Sequence, residues 1–482
     1  MIGLRFASLW LGPVLVLGVA AHLYAGAPEG LLLVVLVVLS PCAALLGRRA
    51  ARGAEASLVT VLLTLLAAGL LLCAGLSLIG DTAGVLGAAR WRGIAIAAGC
   101  AFALTIWPPA GRWWPWLAPG ALLVAWLVLA AVAHASGLGP IAAWSRVASR
   151  PAFSFEATSP WVRSGGTFPE AGVLVFAEPH TIRAGSPGVF GVIVGDGGTT
   201  SVQEWRPQRG GTLTLRPGDH LSYPAGARLI FENGKRVPGA PRSGIAWADP
   251  TADVSRAVEL VRFLGLALTF LAGGFPLLRP SAPRTRVGAA VALALALAAT
   301  GWAEGWAVYA GWAAPDLFLG TVRAGALVAL PSLAVDGQGG RRLGGVLLVA
   351  VIALFIAGAA ALRERIAALA RGGGLGSGIA LWTGVLGGAL VASLWSREPW
   401  ALLVLVLGLL ASTLAPLALA SPALPTRAQV TVCAVGLAAF AVGALGGGAG
   451  GGALAATLGA YPALLGAPAA WGALRLARPR PA

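Results

Sequence analysis

The sequence predicts a polytopic α-helical membrane protein with one inserted all-β domain, a small barrel or sandwich held outside the cytoplasm. Three observations predict it. The chain has 482 residues, 57% of them hydrophobic and only 11% charged. A soluble chain of that composition has too little polar side chain to cover its apolar surface. Apolar runs near twenty residues recur, each long enough to cross about 30 Å of hydrocarbon as a helix. One stretch, 137–256, breaks the pattern: it holds nine of the eighteen acidic residues, from Glu156 to Asp253, and the only lysine, Lys235. The division is therefore 1–136, a five-helix membrane region; 137–256, the β-domain; and 257–482, a membrane region of about seven or eight helices.

The first five apolar runs are 8–25, 30–47, 57–79, 93–108 and 116–136. Small-residue cleavage signals are missing after the first, so it is taken as a span rather than a signal peptide. Arg48, Arg49 and Arg52 follow the second run, and cytoplasmic loops carry the excess of arginine. That places the N-terminus and the loop around Arg112 in the cytoplasm, and five crossings put 137–256 outside. Run 257–278 returns the chain to Arg279, Arg284 and Arg286. Arg90 and Arg92 fall outside, against the rule. Seven further runs follow: 287–312, 316–335, 343–362, 377–395, 400–420, 428–446 and 452–472. If all span, Arg475, Arg478 and Arg480 end up outside, and Arg341–Arg342 and Arg363–Arg371 lie on opposite faces. One run is then a half-span or surface helix, which leaves twelve or thirteen spans. The glycines Gly446–Gly448 and Gly450–Gly452 read as a turn between helices or as close helix contact. The expected location is the cytoplasmic membrane of a bacterium.

Within the β-domain, Val189–Val194, Gly195-Asp196-Gly197-Gly198 and Thr200–Trp205 read as strand, turn, strand. Thr212–Leu215 alternates polar and apolar residues, and Arg216-Pro217-Gly218-Asp219 turns the chain. Arg228–Phe231 leads into Asn233-Gly234, which suits a two-residue hairpin. Seven or eight short strands are expected. Gly218, Pro224, Gly226 and Asn233 resemble a fragment of the second cupin motif, in which glycine, proline and glycine shape the barrel. Leu229 stands where that motif has its metal-binding histidine, which counts against cupin metal chemistry.

Charges inside the bilayer are the first places to look for chemistry, because hydrocarbon penalises them by a few kcal/mol or more. Glu304 and Arg323 lie ten and nine residues from a turn near Ala314, about 14 Å at helical rise, so the sequence predicts an intramembrane ion pair. Trp302, Trp306, Tyr309 and Trp312 read as an aromatic belt at the outer surface. His22, His134, His180 and His220 all fall on the outer side and are ligand candidates. Outward histidines and tryptophans resemble the distribution in proteins that handle haem for cytochrome c assembly, but their tryptophan-rich WGxxWxWD-type signature and any CxxCH motif are missing. The four cysteines, Cys42, Cys73, Cys100 and Cys433, sit in apolar runs without metal or disulfide spacing.

HExxH, GxSxG and P-loop patterns do not occur. Arg163, His180 and Arg183 keep open an enzyme of the polymerase or ligase type acting on a lipid-linked substrate. The net charge of +16 comes from arginines at the ends of apolar runs, so nucleic acid is not an expected partner. The expected role is non-catalytic: a membrane subunit, assembly factor or translocation component in the lipid bilayer, whose β-domain meets a protein or a lipid-linked substrate. No metal or cofactor is expected, with haem handling as the lesser alternative.

Overall fold

A computed structural model describes residues 2–24, 28–46, 58–106, 114–135, 162, 165–168, 172–176, 178–196, 199–224, 226–235, 237–238, 256–278, 286–313, 325–335, 338–373, 378–396, 398–419, 424–449 and 453–477. Arg163 and Arg323 lie outside them. Among the described residues, seven helices are long and apolar enough to cross a membrane: Leu58–Val85, Trp114–Ala135, Ala290–Ala310, Gln338–Ala370, Gly378–Trp395, Pro399–Ala418 and Thr426–Gly446. The bent pair Gly3–Trp10 and Pro13–Tyr24 makes an eighth if it forms one span. This is a multi-pass membrane protein with a small antiparallel β region.

The helices are α1 (Ile2–Trp10), α2 (Pro13–Tyr24), α3 (Pro28–Leu46), α4 (Leu58–Val85), α5 (Arg90–Ile106), α6 (Leu117–Ala135), α7 (Arg256–Ala267), α8 (Gly273–Leu278), α9 (Arg286–Ala313), α10 (Leu330–Ala334), α11 (Gln338–Gly373), α12 (Gly378–Trp395), α13 (Pro399–Leu419), α14 (Thr426–Ala449), α15 (Ala453–Ala460) and α16 (Ala463–Ala477). Three expected runs are not single uninterrupted α-helices. Run 8–25 is α1 and α2, bent by 58°. A π-segment, Leu268–Ala272, separates α7 from α8. Run 452–472 is α15 and α16. The glycines 446–448 are inside α14 rather than in a turn, while 450–452 lie outside the described residues.

Contacts define two ends of the bundle. At one, Arg5 meets Glu364 at 3.4 Å, and its guanidinium lies 5.6 Å from the Trp114 ring centroid. Trp114 Nε1 donates to Glu364 Oε1 at 3.2 Å, and Arg365 donates to the Pro276 carbonyl in α8. At the other, Arg90 Nε donates to Asp81 Oδ1 at 2.8 Å. The same guanidinium donates to the carbonyls of Leu394, at 3.0 Å, and Ser396, where α12 ends.

These contacts fix the direction of the helices between them. A β-carbon on Gly344 in α11 would meet Leu86 and the Val328 carbonyl, so α11 starts at the Arg90 end and reaches Glu364 at the opposite one. α9 starts beside Gly3, through Gly288, and at Trp306 donates to the Leu327 carbonyl. Residues 325–335 therefore sit at the Arg90 end, between the end of α9 and the start of α11. The described part of run 316–335 is a 3-10 turn, Ala326–Ala329, and the five-residue α10, which carries Pro331 in its first turn and ends at an extended Val335. It does not pass through the bundle. Further on, Gly443 lies against Pro462 and Val432 packs with Leu474. α16 thus runs antiparallel to α14.

The β-domain has eight strands in two four-stranded antiparallel sheets. β1 (Gly166–Phe168), β8 (Ala227–Ile230), β3 (His180–Ala184) and β6 (Thr212–Leu215) form one. β2 (Gly172–Val175), β7 (His220–Tyr223), β4 (Phe190–Asp196) and β5 (Thr199–Trp205) form the other. Both bury side chains in one core, including Phe168, Ile182 and Leu229 from the first sheet and Leu174, Val192 and Leu221 from the second. Two such sheets in this order make a double Greek-key jelly roll, an arrangement that cupins share. β4 and β5 pair from Phe190↔Trp205 to Asp196↔Thr199, as the strand–turn–strand reading expects. Gly218 and Gly226 have φ of +91° and +79°, conformations that glycine alone adopts without strain. Asn233-Gly234 departs from expectation. Among the described residues only glycines have positive φ, so the turn is not the two-residue hairpin type, and the chain beyond it packs Val237 into the core.

Candidate functional site

The outer face of the β2-β7-β4-β5 sheet is the most distinctive surface of the β-domain. Side chains alternate along a strand, so Leu174, Val192 and Leu221 point into the core while Val173, Val175, Ile193, His220 and Ser222 point away. Register then aligns one row across four strands: Val175↔His220, His220↔Ile193 and Ile193↔Val202. Val175 is 53% exposed and Val202 72%, with Val173 at 52% in the neighbouring row. β-branched residues suit a pleated surface, but an outward face in contact only with water does not call for them. Three of the four residues in this row are apolar, and His220 stands between Val175 and Ile193.

The four histidines do not gather here. His22, near the end of α2, has its ring 4.6 Å from that of Trp400, and its Nδ1 is 2.9 Å from the Gly18 carbonyl. His134 is exposed at the end of α6. His220 is half-buried on the outer face, while His180 is buried in the core. His180 and Arg183 are three residues apart on β3 and so face opposite sides of the sheet. Among the described residues, no three His, Cys, Asp or Glu side chains cluster.

Glu304 is half-buried. It continues a stripe along α9 at 287, 290, 294, 297 and 301, whose Val287 and Leu297 are 73% and 54% exposed. The carboxylate is thus on the side of α9 away from the bundle interior. Its expected partner Arg323 lies outside the described residues. The aromatic belt is a correction. Trp302, Trp306 and Tyr309 are at most 2% exposed, and the two indoles stack at 5.2 Å. Trp306 Nε1 is satisfied by Leu327. These rings fill the bundle interior because their face of α9 packs on neighbouring helices. Trp312 has no described side chain.

A second feature lies where α1 breaks. Pro13 has no N–H, so the Leu9 carbonyl lacks its donor four residues on. Beside the bend is a cavity of about 60 Å³ lined by Trp10, Gly12, Pro13, Gly75, Phe355, Leu407 and other apolar residues. The π-segment approaches the same place. Phe270 meets Trp10 edge-on at 6.3 Å and stacks on Trp400 at 5.9 Å, while Ser40 Oγ reaches the Phe270 carbonyl at 3.3 Å. Trp10, Phe270, Trp400 and His22 thus form an aromatic column from the cavity to the Arg90 end. Sequence reasoning placed His22 outward but missed the column, because residues 10, 270 and 400 are far apart in the chain. The Gly12-Pro13 pair was its only local signal. No protein-family model matches this chain, and neither does any curated protein.

Proposed function

We propose that this protein is a non-catalytic membrane subunit or assembly factor that presents its jelly roll outside the cytoplasm and docks a protein partner through the Val175–His220–Ile193–Val202 row. The exposed apolar row carries this reading, since a contiguous apolar patch on a polar domain marks an interaction surface. The helices, by contrast, pack around a small apolar cavity without convergent polar groups of the kind that binding and catalytic pockets use.

The sidedness follows from arginine placement. The Arg5–Glu364 end also receives Arg363, Arg427 and Arg475, by the helix directions given above. Arg90, Arg92, Arg341 and Arg342 stand at the other end, so the cytoplasmic assignment is carried by the arginines Arg48, Arg49, Arg52 and Arg112 that follow the second and fourth apolar runs in the sequence. With the described residues 325–335 held at the Arg90 end, we read twelve passes, both termini cytoplasmic and 137–256 extracytoplasmic, in a bacterial cytoplasmic membrane. A second reading, an enzyme or translocation component for a lipid-linked substrate, has the cavity at the α1–α2 break behind it. Haem handling has no such observation, because the four histidines occupy separate surroundings.

A photo-crosslinking residue at Val202 in the full chain tests the docking reading. A protein adduct should form in native membranes and vanish in Val175→Asp, while a probe at exposed Gln208 stays unlinked. Equal crosslinking at both positions, or none at Val202, would sink it.

A further inference from the structure

His180 is 1% exposed. Its ring packs between Phe176 and Phe231, at centroid distances of 5.7 and 5.8 Å. Neither ring nitrogen has a hydrogen-bond partner. Such a group is tolerable only while neutral, since burying a charge without partners costs far more than burying a neutral polar group.

The chain closes directly over this ring. Glu232 Oε2 accepts the Thr181 N–H at 2.9 Å. Lys235 Nζ donates to the Pro179 carbonyl at 2.9 Å and lies 3.0 Å from Glu232 Oε2. The residues on both sides of His180 are therefore gripped by one short segment. Gly234, with φ of +77°, folds that segment so that Glu232 and Lys235 reach the start of β3 together. This is why Asn233-Gly234 does not open a further hairpin. In chain order the same segment leads from β8 towards α7, the next described helix.

We propose that residues 231–235 form an acid-released latch on the jelly roll, with His180 as its sensor. Protonation places a cation between two phenyl rings with no acceptor, and water reaches it only if Phe231 and the segment behind it lift away. The charged groups around the ring are Glu232 and Lys235 on the latch and Glu178 before β3. Asp219, on the turn before β7, is engaged with the Arg216 N–H, and Arg183 is on the opposite face of β3.

Burial pushes the His180 imidazole below its ordinary range, against an upward pull from Glu232; Lys235 adds to the lowering and Glu178 opposes it. The closed form thus binds fewer protons than the open form. Closure is fully favoured above about pH 6.5 and weakens as pH falls below it. The Glu232 carboxyl is held below its usual value, first by the Thr181 N–H and then by Lys235. It stays ionised across this window, so the imidazole is the group that titrates.

Amide hydrogen exchange on the detergent-purified full chain tests this, after correction for intrinsic rates. Between pH 7.5 and 5.0, protection of residues 180–184 and 227–235 should fall about tenfold per pH unit below the transition, while His180→Phe holds it within about twofold. An equal fall in both proteins, or none in the wild type, overturns the latch. Should His180→Phe not fold, exchange at the imidazole C2 position of the wild type decides: a His180 midpoint below about 6.5 supports the latch, and one at or above it overturns it.

Discussion

Arg90 shows how one side chain reverses the reading of its neighbourhood. By arginine counting alone it stands on the wrong side. Its guanidinium is, however, neutralised by Asp81 and bonded to two carbonyls at the end of α12, where the helix dipole favours a cation. It therefore does not act as a free cytoplasmic-retention charge. Asp81 is only 8% exposed at its side chain, so deleting Arg90 leaves a nearly buried carboxylate. Arg90→Ala should cost about 2–3 kcal/mol in a denaturant titration, somewhat below the loss for a fully buried pair. Asp81→Asn in the same chain should restore part of it, as a double-mutant cycle would show. The sequence displayed both residues but not their distance from residue 394, so this contact was beyond its reach.

At the scale of elements, glycine decides where helices touch. A β-carbon on Gly436 of α14 would sit 1.8 Å from the Ser412 carbonyl, and one on Gly273 of α8 would sit 2.0 Å from that of Leu407. Each allows backbone contact with α13, the small-residue packing expected between membrane helices. Gly436→Ala should destabilise by about 1–3 kcal/mol, whereas Gly446→Ala, with open space around it, should be neutral in the same thermal-stability assay. Strands were legible where turn chemistry and alternation agreed, as in Phe190–Trp205 and Thr212–Leu215. The pairing of β2 with β7 was not, because its partners are some fifty residues apart. The Val175–Val202 row therefore emerged only with the register. Likewise, run 316–335 reads as a span by hydropathy, yet its described part is two short helical pieces that end at Val335 and stay at one end.

For the whole molecule, the account depends on which helix ends share a face. Long apolar helices and a small antiparallel β region were readable from composition and turn chemistry. The parity of the second half was not, since a half-span and a full span have the same hydropathy. The proposed twelve-pass reading rests on the contacts of Arg90 with α12 and of Arg5 with α11. Membrane-impermeant maleimide labelling of intact cells, in a background with Cys42, Cys73, Cys100 and Cys433 replaced, tests this most directly. Single cysteines at Gly87, Val202 and Arg341 should label from outside, and those at Arg427 and Leu476 only after permeabilisation. Labelling of Arg341 with the Arg427 and Leu476 group would contradict the account, because it would require 316–335 to cross.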